Sequence, residues 1–204
     1  MEILIHATPE RQWYVEEYLL PRLEGAKVFY DTEHEGNIKA YLKSYESLPI
    51  DGDTWHLEDD VLPDRYFREL AEEMEDYDGI ICGFGAEEGN AKVYSFPCIR
   101  IPNWYIKDFL EWLKVTDDQC VKARLELGKG IDFIFHKYWL CHEIPTYQYY
   151  PCLVEHIDDL IGGSLINIRE KPIKAYRFMD EPRIDDLKKW LERRKDGVNS
   201  RSDA

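Results

Sequence analysis

Residues 54–67 read Thr-Trp-His-Leu-Glu-Asp-Asp-Val-Leu-Pro-Asp-Arg-Tyr-Phe, and this stretch decides the fold. Its first four residues, Thr54 to Leu57, predict a short strand that runs directly into three acids, Glu58, Asp59 and Asp60. Three carboxylates are costly to bury without partners, but open α/β sheets place ligands at the carboxyl ends of their parallel strands. Because side chains alternate along an extended chain, Glu58 and Asp60 should share one side. Two carboxylates on one side make half of a site for a hard divalent cation, Mg²⁺ or Mn²⁺.

A second interpretation of the same acids stays open at this point. Pro63 suits a first helical position, and an apolar stripe follows it at helical spacing as far as Met74. The acids would then form a solvated turn in which Asp60 or Asp64 caps that helix. The residues alone do not separate a helix cap from a metal site.

Strand and helix signals alternate through the N-terminal half of the chain. The predicted strands are Ile3 to Ala7, Lys27 to Asp31, Thr54 to Leu57 and Gly79 to Gly85. Besides the helix after Pro63, helical patterns run from Pro9 to Leu23 and from Ile38 to Tyr45. This order predicts an α/β fold, a mostly parallel, Rossmann-like sheet flanked by helices, with right-handed crossovers.

The C-terminal half is less regular. Its predicted strands or extended segments are Lys92 to Ile101, which Pro97 interrupts, Tyr149 to Ile157, and Ser164 to Ile168. Its predicted helices are Asn103 to Leu113, Asp117 to Leu127, Ile131 to Leu140 and Glu181 to Arg194. We expect one domain over residues 1–170, a C-terminal strand and helix appendage over residues 171–195, and a disordered tail over residues 196–204.

The composition indicates a folded, acidic chain. Of its 204 residues 44% are hydrophobic and 14% aromatic, which excludes wholesale disorder. The 41 acidic and 26 basic residues give a net charge of −15, which disfavours broad nucleic-acid binding. There is no visible signal peptide and no apolar run of membrane-spanning length, so we expect a cytoplasmic protein without a membrane span.

The sequence lacks the motifs of several common cofactor-binding and metal-binding sites. No GxGxxG or GxxxxGKS/T loop is present, so nicotinamide dehydrogenases and P-loop ATPases are not supported. The five cysteines include no CxxC pair, which argues against a zinc cluster or a disulfide framework. We expect them to be buried free thiols.

The acidic stretch resembles the metal-binding motif of GT-A glycosyltransferases. The phrase Leu-Glu-Asp-Asp-Val is nearest the lipooligosaccharide and collagen galactosyltransferase group and related small glycosyltransferase-like proteins of phages and prophages. In those families a DxD-type motif holds Mn²⁺ or Mg²⁺ on the diphosphate of a nucleotide sugar. The resemblance implies metal ligands at Glu58 and Asp60, with Asp59 beside the nucleotide. Glu58 departs from the family pattern, which has Asp at that position.

A second segment resembles the same families. In Pro-Cys-Leu-Val-Glu-His-Ile-Asp-Asp-Leu-Ile-Gly-Gly-Ser, residues 151–164, the resemblance implies His156 as third metal ligand and Ser164 as a nearby polar contact. Imidazole suits Mn²⁺ better than Mg²⁺. Without the acidic motif, His156 would read as an ordinary half-buried histidine at a strand end.

Further site residues follow from weaker resemblances. Gly-Lys-Gly-Ile-Asp-Phe, residues 128–133, resembles an acid-bearing helix start, so Asp132 would deprotonate the acceptor hydroxyl; its alternative is a helix N-cap. Ile131 replaces the first acid of that motif. Residues 5–23 resemble the first strand and helix of such enzymes. The nucleotide contacts implied in the N-terminal half are Thr8, Arg11, Asp31 and Asn37. The alternative for Arg11 is a surface side chain, and the alternative for Asp31 is a turn residue.

The resemblance covers about residues 1–167 and implies a metal-dependent glycosyltransferase that moves a sugar from a nucleotide sugar, a UDP-sugar, to an unknown acceptor hydroxyl. A nucleotidyltransferase is a weaker alternative, because residues 6–12 lack the glycines of a phosphate loop. A non-catalytic, phage-encoded acidic protein that binds a partner or sequesters a nucleotide is another. We expect core packing for Trp104 and Trp112, with acceptor platforms as the alternative, and for the tyrosines 147, 149 and 150, which could instead stack on a sugar or a base. We expect a structural role for His6.

Overall fold

A computed structural model of the chain describes residues 1–34, 36–85, 96–128, 130–163, 174–175, 177–178 and 180–202. Six strands of the described chain form one sheet in the order β2-β1-β3-β6-β5-β7. Their bounds are Glu2–Ala7 for β1, Lys27–Tyr30 for β2, Asp53–Glu58 for β3, Ile80–Cys82 for β5, Cys98–Pro102 for β6 and Thr146–Gln148 for β7. A separate two-stranded sheet pairs β4, Val61–Pro63, with β8, Val154–His156.

The main sheet is mostly parallel. Strand β1 pairs in parallel with β2 and with β3, and β5 pairs in parallel with β7. Only β6 runs the other way in the described sheet, between β3 and β5. The predicted α/β class, with a mostly parallel, Rossmann-like sheet flanked by helices in a single domain, is therefore confirmed. The carboxyl ends of β1, β3, β5 and β7 share one edge of the sheet.

The helices cover both faces of this sheet. They are α1 (Gln12–Tyr14), α2 (Asn37–Glu46), α3 (Phe67–Glu72), α4 (Asn103–Val115), α5 (Gln119–Leu127), α6 (Ile131–Cys141) and α7 (Pro182–Ser202). Around α1 lies an irregular helical segment over residues 9–22. It begins with the 3₁₀ turn Pro9–Arg11 and ends, after a π-helical stretch, with the 3₁₀ turn Leu20–Arg22. We call it the N-terminal helical segment.

Each face of the sheet has its own apolar core. One core packs the N-terminal helical segment, α3, β8 and α7 on inward residues of the sheet such as Ile5 and Leu57, which are fully buried. The other packs α2, α4, α5 and α6 on the opposite face, around residues such as Ile99. Alternation along β1 and β3 supplies apolar side chains to both cores, as expected for a sheet buried on both faces.

Several predicted elements differ in the structure. Pro63 does not open a helix; it ends β4, and the helix begins four residues later at Phe67. An outer strand tolerates proline, because it needs no N–H on its unpaired side. The strand predicted from Lys92 begins at Cys98, and residues 92–95 lie outside the described chain. The short strand β7 was not predicted.

The C-terminal helix is longer than predicted. It continues to Ser202, so residues 196–202 are helical where the sequence predicted a disordered tail. Leu187 on this helix is fully buried in the first core. Trp190 stacks on Trp13 with ring centroids 6.1 Å apart. Helix α7 therefore packs on the N-terminal helical segment. The strand predicted at residues 164–168 lies outside the described chain.

Across the described residues, no helix combines the length and the apolar character that crossing a membrane would need. The longest helix, α7, is rich in charged side chains, with acidic and basic residues in every turn as far as Lys195.

Candidate functional site

The candidate site lies at the edge of the sheet where the parallel strands β1, β2 and β3 end. Thr8 follows β1, Asp31 follows β2, and the acids begin at the last residue of β3, Glu58. The backbone N–H of Asp31 donates to the carbonyl of Ala7 at 2.8 Å. The parallel register therefore brings these separate segments to one place, as the sequence predicted from the position of the acids.

His156 reaches this edge through the small sheet. Val61 of β4 lies opposite His156 of β8 in the antiparallel register, and the N–H of Ile157 donates to the carbonyl of Asp60 at 2.8 Å. The segment that follows the acids is strand β4 and not the predicted helix, and this strand pairs with β8. The placement of β4 thus explains how residues nearly one hundred positions apart come together.

Glu58, Asp60 and His156 form a compact group of metal-ligating side chains. Each offers one ligand atom, and these atoms all lie within 4.8 Å of one another. Asp60 and His156 are buried, and Glu58 is partly buried. Asp60 Oδ1 lies 3.4 Å from His156 Nε2 but has no hydrogen-bond partner. A buried carboxylate oxygen without a donor, beside an imidazole and a second carboxylate, fits a divalent cation with oxygen and nitrogen ligands.

The charges in this group are strongly coupled. Burial, and then the neighbouring Asp60, raises the pKa of Glu58 to about 8. Burial would also raise the pKa of Asp60, but His156 and Arg11 together lower it to about 2. Burial opposes the charged form of His156, yet Asp60, Glu58 and Asp158 raise its pKa. The group therefore carries one ionised carboxylate and one that holds a proton at neutral pH, and a bound cation would take the place of that proton.

A further carboxylate lies beside the imidazole, although His156 Nδ1 has no hydrogen-bond partner. His156 Nδ1 lies 3.3 Å from Asp158 Oδ1, and both side chains are buried. The charge of Asp158 contributes, after Asp60 and Glu58, to the raised pKa of His156. Asp158 lies two residues after His156 in the sequence, yet the sequence analysis did not predict a role for it.

Arg11 is buried among the acids and is not a surface side chain, so that alternative is wrong. Its Nη1 donates to Asp59 Oδ1 at 2.7 Å and to Asp60 Oδ2 at 2.6 Å. Its Nη2 donates to the carbonyl of Gly163 at 2.7 Å. The guanidinium therefore holds the acidic motif against two other segments of the chain. Its assignment as a nucleotide contact stays a prediction.

Both carboxylate oxygens of Asp59 accept hydrogen bonds from other residues of the chain. Its Oδ2 accepts the backbone N–H of Thr8 at 2.7 Å and the Thr8 hydroxyl at 3.1 Å, while Oδ1 accepts Arg11. Burial raises the pKa of Asp59, and Arg11 opposes that shift. Asp59 thus fixes the end of β1 against the end of β3. This contact leaves Glu58 and Asp60 as the carboxylates that face His156.

A cleft of about 310 Å³ opens beside the acids. Among its lining residues are all five nucleotide contacts predicted in the described chain: Thr8, Arg11, Asp31, Asn37 and Asp59. Asn37 begins α2 and its Oδ1 is buried without a hydrogen-bond partner. Gly36 precedes it with φ +88°, and a Cβ there would lie 3.0 Å from the carbonyl oxygen of Gly128. Glycine is therefore required at that turn into the cleft.

Asp132 stands at the second position of α6. The N-cap of that helix is Gly130, so the alternative that Asp132 caps it is wrong. Its carboxylate is near enough to Glu58 to contribute to the raised pKa of that residue. The structure therefore places Asp132 within electrostatic reach of the candidate metal group. Its role as a base stays a prediction. Ser164 lies outside the described residues.

Behind the cleft, His6, for which the sequence predicted a structural role, forms a buried pair with His56 that was not predicted. His6 Nε2 lies 3.0 Å from His56 Nδ1, and the His6 ring stacks on Tyr41 with centroids 3.8 Å apart. His6 and Tyr41 both line the cleft. Burial lowers the pKa of His6, and it lowers the pKa of His56 to about 3, so both are neutral. The sequence signal for this pair was His56 itself, which is a polar residue inside a predicted buried strand.

Comparisons with known proteins identify no family for this chain. No protein-family model and no curated protein sequence matches it. Among solved structures, it is similar to A197 from STIV, with 14% sequence identity and a TM-score of 0.42, over 77% of this chain and 86% of that chain. It is also similar to a Bacillus anthracis protein named as a glucose-1-phosphate thymidylyltransferase, in complex with a sucrose, with 12% identity and a TM-score of 0.43, over 73% and 87%. Overall similarities of this size do not identify a function.

Proposed function

We propose that the protein is a metal-dependent glycosyltransferase that takes its sugar from a nucleotide sugar, a UDP-sugar, and transfers it to an acceptor hydroxyl. The observation that carries this proposal is the group of Glu58, Asp60 and His156, whose ligand atoms lie within 4.8 Å of one another beside a cleft. That group and the cleft share Glu58 and Asp60. A cation held there would sit directly beside a ligand in the cleft.

The chemistry needs charge neutralisation at the leaving diphosphate. Glu58, Asp60 and His156 would hold Mn²⁺ or Mg²⁺, which supplies Lewis-acid stabilisation of that charge. Arg11 keeps Asp60 ionised and in place, since it donates to Asp60 Oδ2 at 2.6 Å and leaves Oδ1 towards His156. The acidic motif is thus preorganised before any ligand arrives.

The remaining residues would position the two substrates. Thr8, Asp31 and Asn37 line the cleft and would contact the nucleotide, with the buried, unpartnered Asn37 Oδ1 accepting a donor from it. Asp132 would take the proton of the acceptor hydroxyl as that oxygen attacks the anomeric carbon. Carboxylates near that carbon would also stabilise an oxocarbenium-like transition state.

Calorimetric titration of UDP and UDP-sugars tests this proposal. The titrations are done with Mn²⁺ and with EDTA, on the wild type, on Asp60→Asn and on Asp64→Asn. Asp64 is the matched control, because it is a buried acid of the same segment that lies outside the metal-ligating group. We expect Mn²⁺-dependent binding that is lost in Asp60→Asn and retained in Asp64→Asn.

The opposite result is equally informative. If no nucleotide binds the folded wild type with either addition, the transferase proposal is wrong. The non-catalytic acidic protein that binds a macromolecular partner then becomes the better account, and nucleotide sequestration is excluded together with the transferase.

A further inference from the structure

The Tyr41 side chain lines the cleft, yet its hydroxyl makes no hydrogen bond within the described chain. Tyr41 is 4% exposed, and the hydroxyl itself is buried. Burial raises the pKa of this phenol well above its usual value, so the hydroxyl keeps its proton. A buried donor without an acceptor is costly, and native proteins keep few of them. The unpaired hydroxyl therefore indicates a partner that the described chain does not supply.

The ring that carries this hydroxyl is held in one position. It stacks on the His6 ring, with centroids 3.8 Å apart and the planes 16° from parallel. His6 Nε2 lies 3.0 Å from His56 Nδ1, and His6 Nδ1 lies 3.5 Å from the hydroxyl of Ser44. That hydroxyl donates to the carbonyl of Tyr41 at 2.8 Å. These contacts hold the ring where its own hydroxyl has no partner, so a ligand would meet a donor that is already positioned.

An unpaired acceptor lies one helical turn before Tyr41. Asn37 and Tyr41 are four residues apart on α2, so their side chains share a face of the helix. A tyrosine in a helix also leans towards the turn that precedes it. Asn37 lines the cleft, and its Oδ1 is buried without a hydrogen-bond partner, so the two groups are not bonded to each other. A ligand group that satisfies both must carry an acceptor next to a donor.

The sheet beneath Tyr41 changes character across the cleft. In the register of the parallel strands, His6 stands between Phe29 of β2 and Glu58 of β3, and all three line the cleft. Burial lowers the pKa of His6, so this ring is neutral. At this level of the sheet the cleft is therefore aromatic and uncharged on the β2 side, and it carries the metal-ligating group on the β3 side. A nucleotide has the same division, with a planar base at one end and phosphates at the other.

We infer that Tyr41 and Asn37 select the base of the nucleotide by binding the imide edge of uracil, where a carbonyl lies beside a ring N–H. The Tyr41 hydroxyl donates to the carbonyl oxygen, and Asn37 Oδ1 accepts the N–H. Cytosine and adenine have no ring N–H on the corresponding edge. Guanine has one, but a cleft of about 310 Å³ is at the small end of ligand cavities and favours a pyrimidine. This inference rests on the proposed function and adds the residues that read the base.

The test is calorimetric titration, with Mn²⁺ present, of UDP, 2′-deoxy-UDP, CDP, GDP and pyrophosphate into the full chain. The variants are Tyr41→Phe, which removes only the hydroxyl, Asn37→Ala and Tyr45→Phe. Tyr45 is the matched control, because it lies on α2, is fully buried and also has an unpaired hydroxyl, but is not among the described residues that line the cleft.

Thermal melting without ligand tests the premise. Tyr41→Phe and Tyr45→Phe should both melt at or above the temperature of the wild type, because each loses a buried polar group that has no partner. A clearly lower melting temperature of Tyr41→Phe would mean that its hydroxyl is bonded within the protein, which would overturn the inference.

We expect Tyr41→Phe to bind UDP and 2′-deoxy-UDP about threefold to thirtyfold more weakly than the wild type, and pyrophosphate equally well. Asn37→Ala should also weaken UDP binding and reduce the preference for UDP over CDP. Tyr45→Phe should bind every ligand like the wild type. An equal loss with pyrophosphate would place the Tyr41 hydroxyl on the diphosphate, and a loss with UDP but not with 2′-deoxy-UDP would place it on the ribose. Either result overturns the inference.

The same titrations separate this inference from the proposed function. If UDP binds the wild type and Tyr41→Phe equally well, the transferase proposal stands and the base contact is wrong. If CDP or GDP binds more tightly than UDP, the nucleotide site stands and the assignment to uracil is wrong. If no nucleotide binds the folded wild type, both proposals are wrong.

Discussion

At the scale of single residues, Arg11 is the side chain on which the candidate site depends most. It is 4% exposed and donates to Asp59, to Asp60 and to the carbonyl of Gly163. A buried guanidinium is tolerated only because these oxygens replace its water, and the two carboxylates are tolerated for the same reason. Removing it leaves two buried acids without their counter-charge.

The first prediction follows from that dependence. Arg11→Gln should lower the free energy of unfolding by about 3–5 kcal/mol, because breaking a buried ion pair strands the partner charges. Arg193→Gln, on the exposed face of α7, should change it by less than about 0.5 kcal/mol. Urea unfolding followed by circular dichroism measures both. Equal effects of the two substitutions would show that the Arg11 pairs carry no special stability.

The buried histidine pair predicts a pH dependence. The unfolded chain titrates its histidines near pH 6.5, about their ordinary pKa, whereas burial lowers the pKa of His56 to about 3 in the folded chain. Between these values the unfolded state binds more protons, so the free energy of unfolding falls as the pH falls. Glu58, with its pKa raised to about 8, acts in the opposite direction as the pH falls from 8 to about 4.5.

A non-titrating variant isolates the contribution of His56. Between pH 6 and about 4, the free energy of unfolding of His56→Gln should fall less steeply than that of the wild type, by up to about 1.4 kcal/mol per pH unit. His142→Gln, at an exposed position, should keep the slope of the wild type. Urea unfolding at several pH values gives the slopes, and an unchanged slope in His56→Gln would contradict a neutral buried His56.

At the scale of elements, α7 joins the first core of the domain. Leu187 is fully buried in that core, at 0% relative exposure. Arg194 pairs with Glu17 of the N-terminal helical segment at 2.9 Å. The same segment carries Arg11. The C-terminal helix therefore supports the element that holds the acidic motif, although none of its described side chains lines the cleft.

A matched pair of leucines tests this support. Leu187→Ala should lower the free energy of unfolding by about 2–5 kcal/mol, the usual cost of truncating a buried leucine. Leu127→Ala, at 71% exposure, should cost less than about 0.5 kcal/mol. Thermal or urea unfolding compares them. Similar small losses in both variants would mean that α7 is a dispensable appendage.

The sequence predicted some elements well and others poorly, for physical reasons. Strands β1, β2 and β3 stand within one residue of their predicted bounds, because their apolar runs are flanked by clear breaks. Pro63 was misassigned, because proline suits the start of a helix and an outer strand equally well. Strand β7 has three residues, two of them exposed, so no apolar run marks it.

The same division applies to the candidate site. The acids were identifiable from their position after a strand, and the structure brings Glu58 and Asp60 together with His156. The burial of Arg11 was not predictable, because its partners lie 48 and 49 positions away and a lone arginine after a proline carries no local signal. The exposure of Trp104 and Tyr147 was likewise set by tertiary packing, not by spacing.

At the scale of the whole molecule, the net charge of −15 opposes compactness through self-repulsion. Added NaCl should therefore raise the melting temperature from low to physiological ionic strength, because counterions screen the repulsion. MnCl₂ at the same ionic strength should raise it further, since a cation that binds only the folded state stabilises it. Differential scanning fluorimetry measures both effects. Asp60→Asn should keep the NaCl effect and lose the additional Mn²⁺ effect; an undiminished Mn²⁺ effect would place the ion elsewhere.

The position of β6 between β3 and β5 sets the order in which a growing chain can complete its sheet. Strands β1, β2 and β3 find one another once residue 58 has left the ribosome. Strand β5 is the next strand of the main sheet to be synthesised, but in the described sheet it pairs only with β6 and β7, and both come later in the chain. Its residues Ile-Ile-Cys therefore stay unpaired during translation. Exposed apolar segments of this kind are prone to aggregate, and chaperones protect them. The group of Glu58, Asp60 and His156 can form only once residue 156 has left the ribosome, after all six described strands of the main sheet have been made.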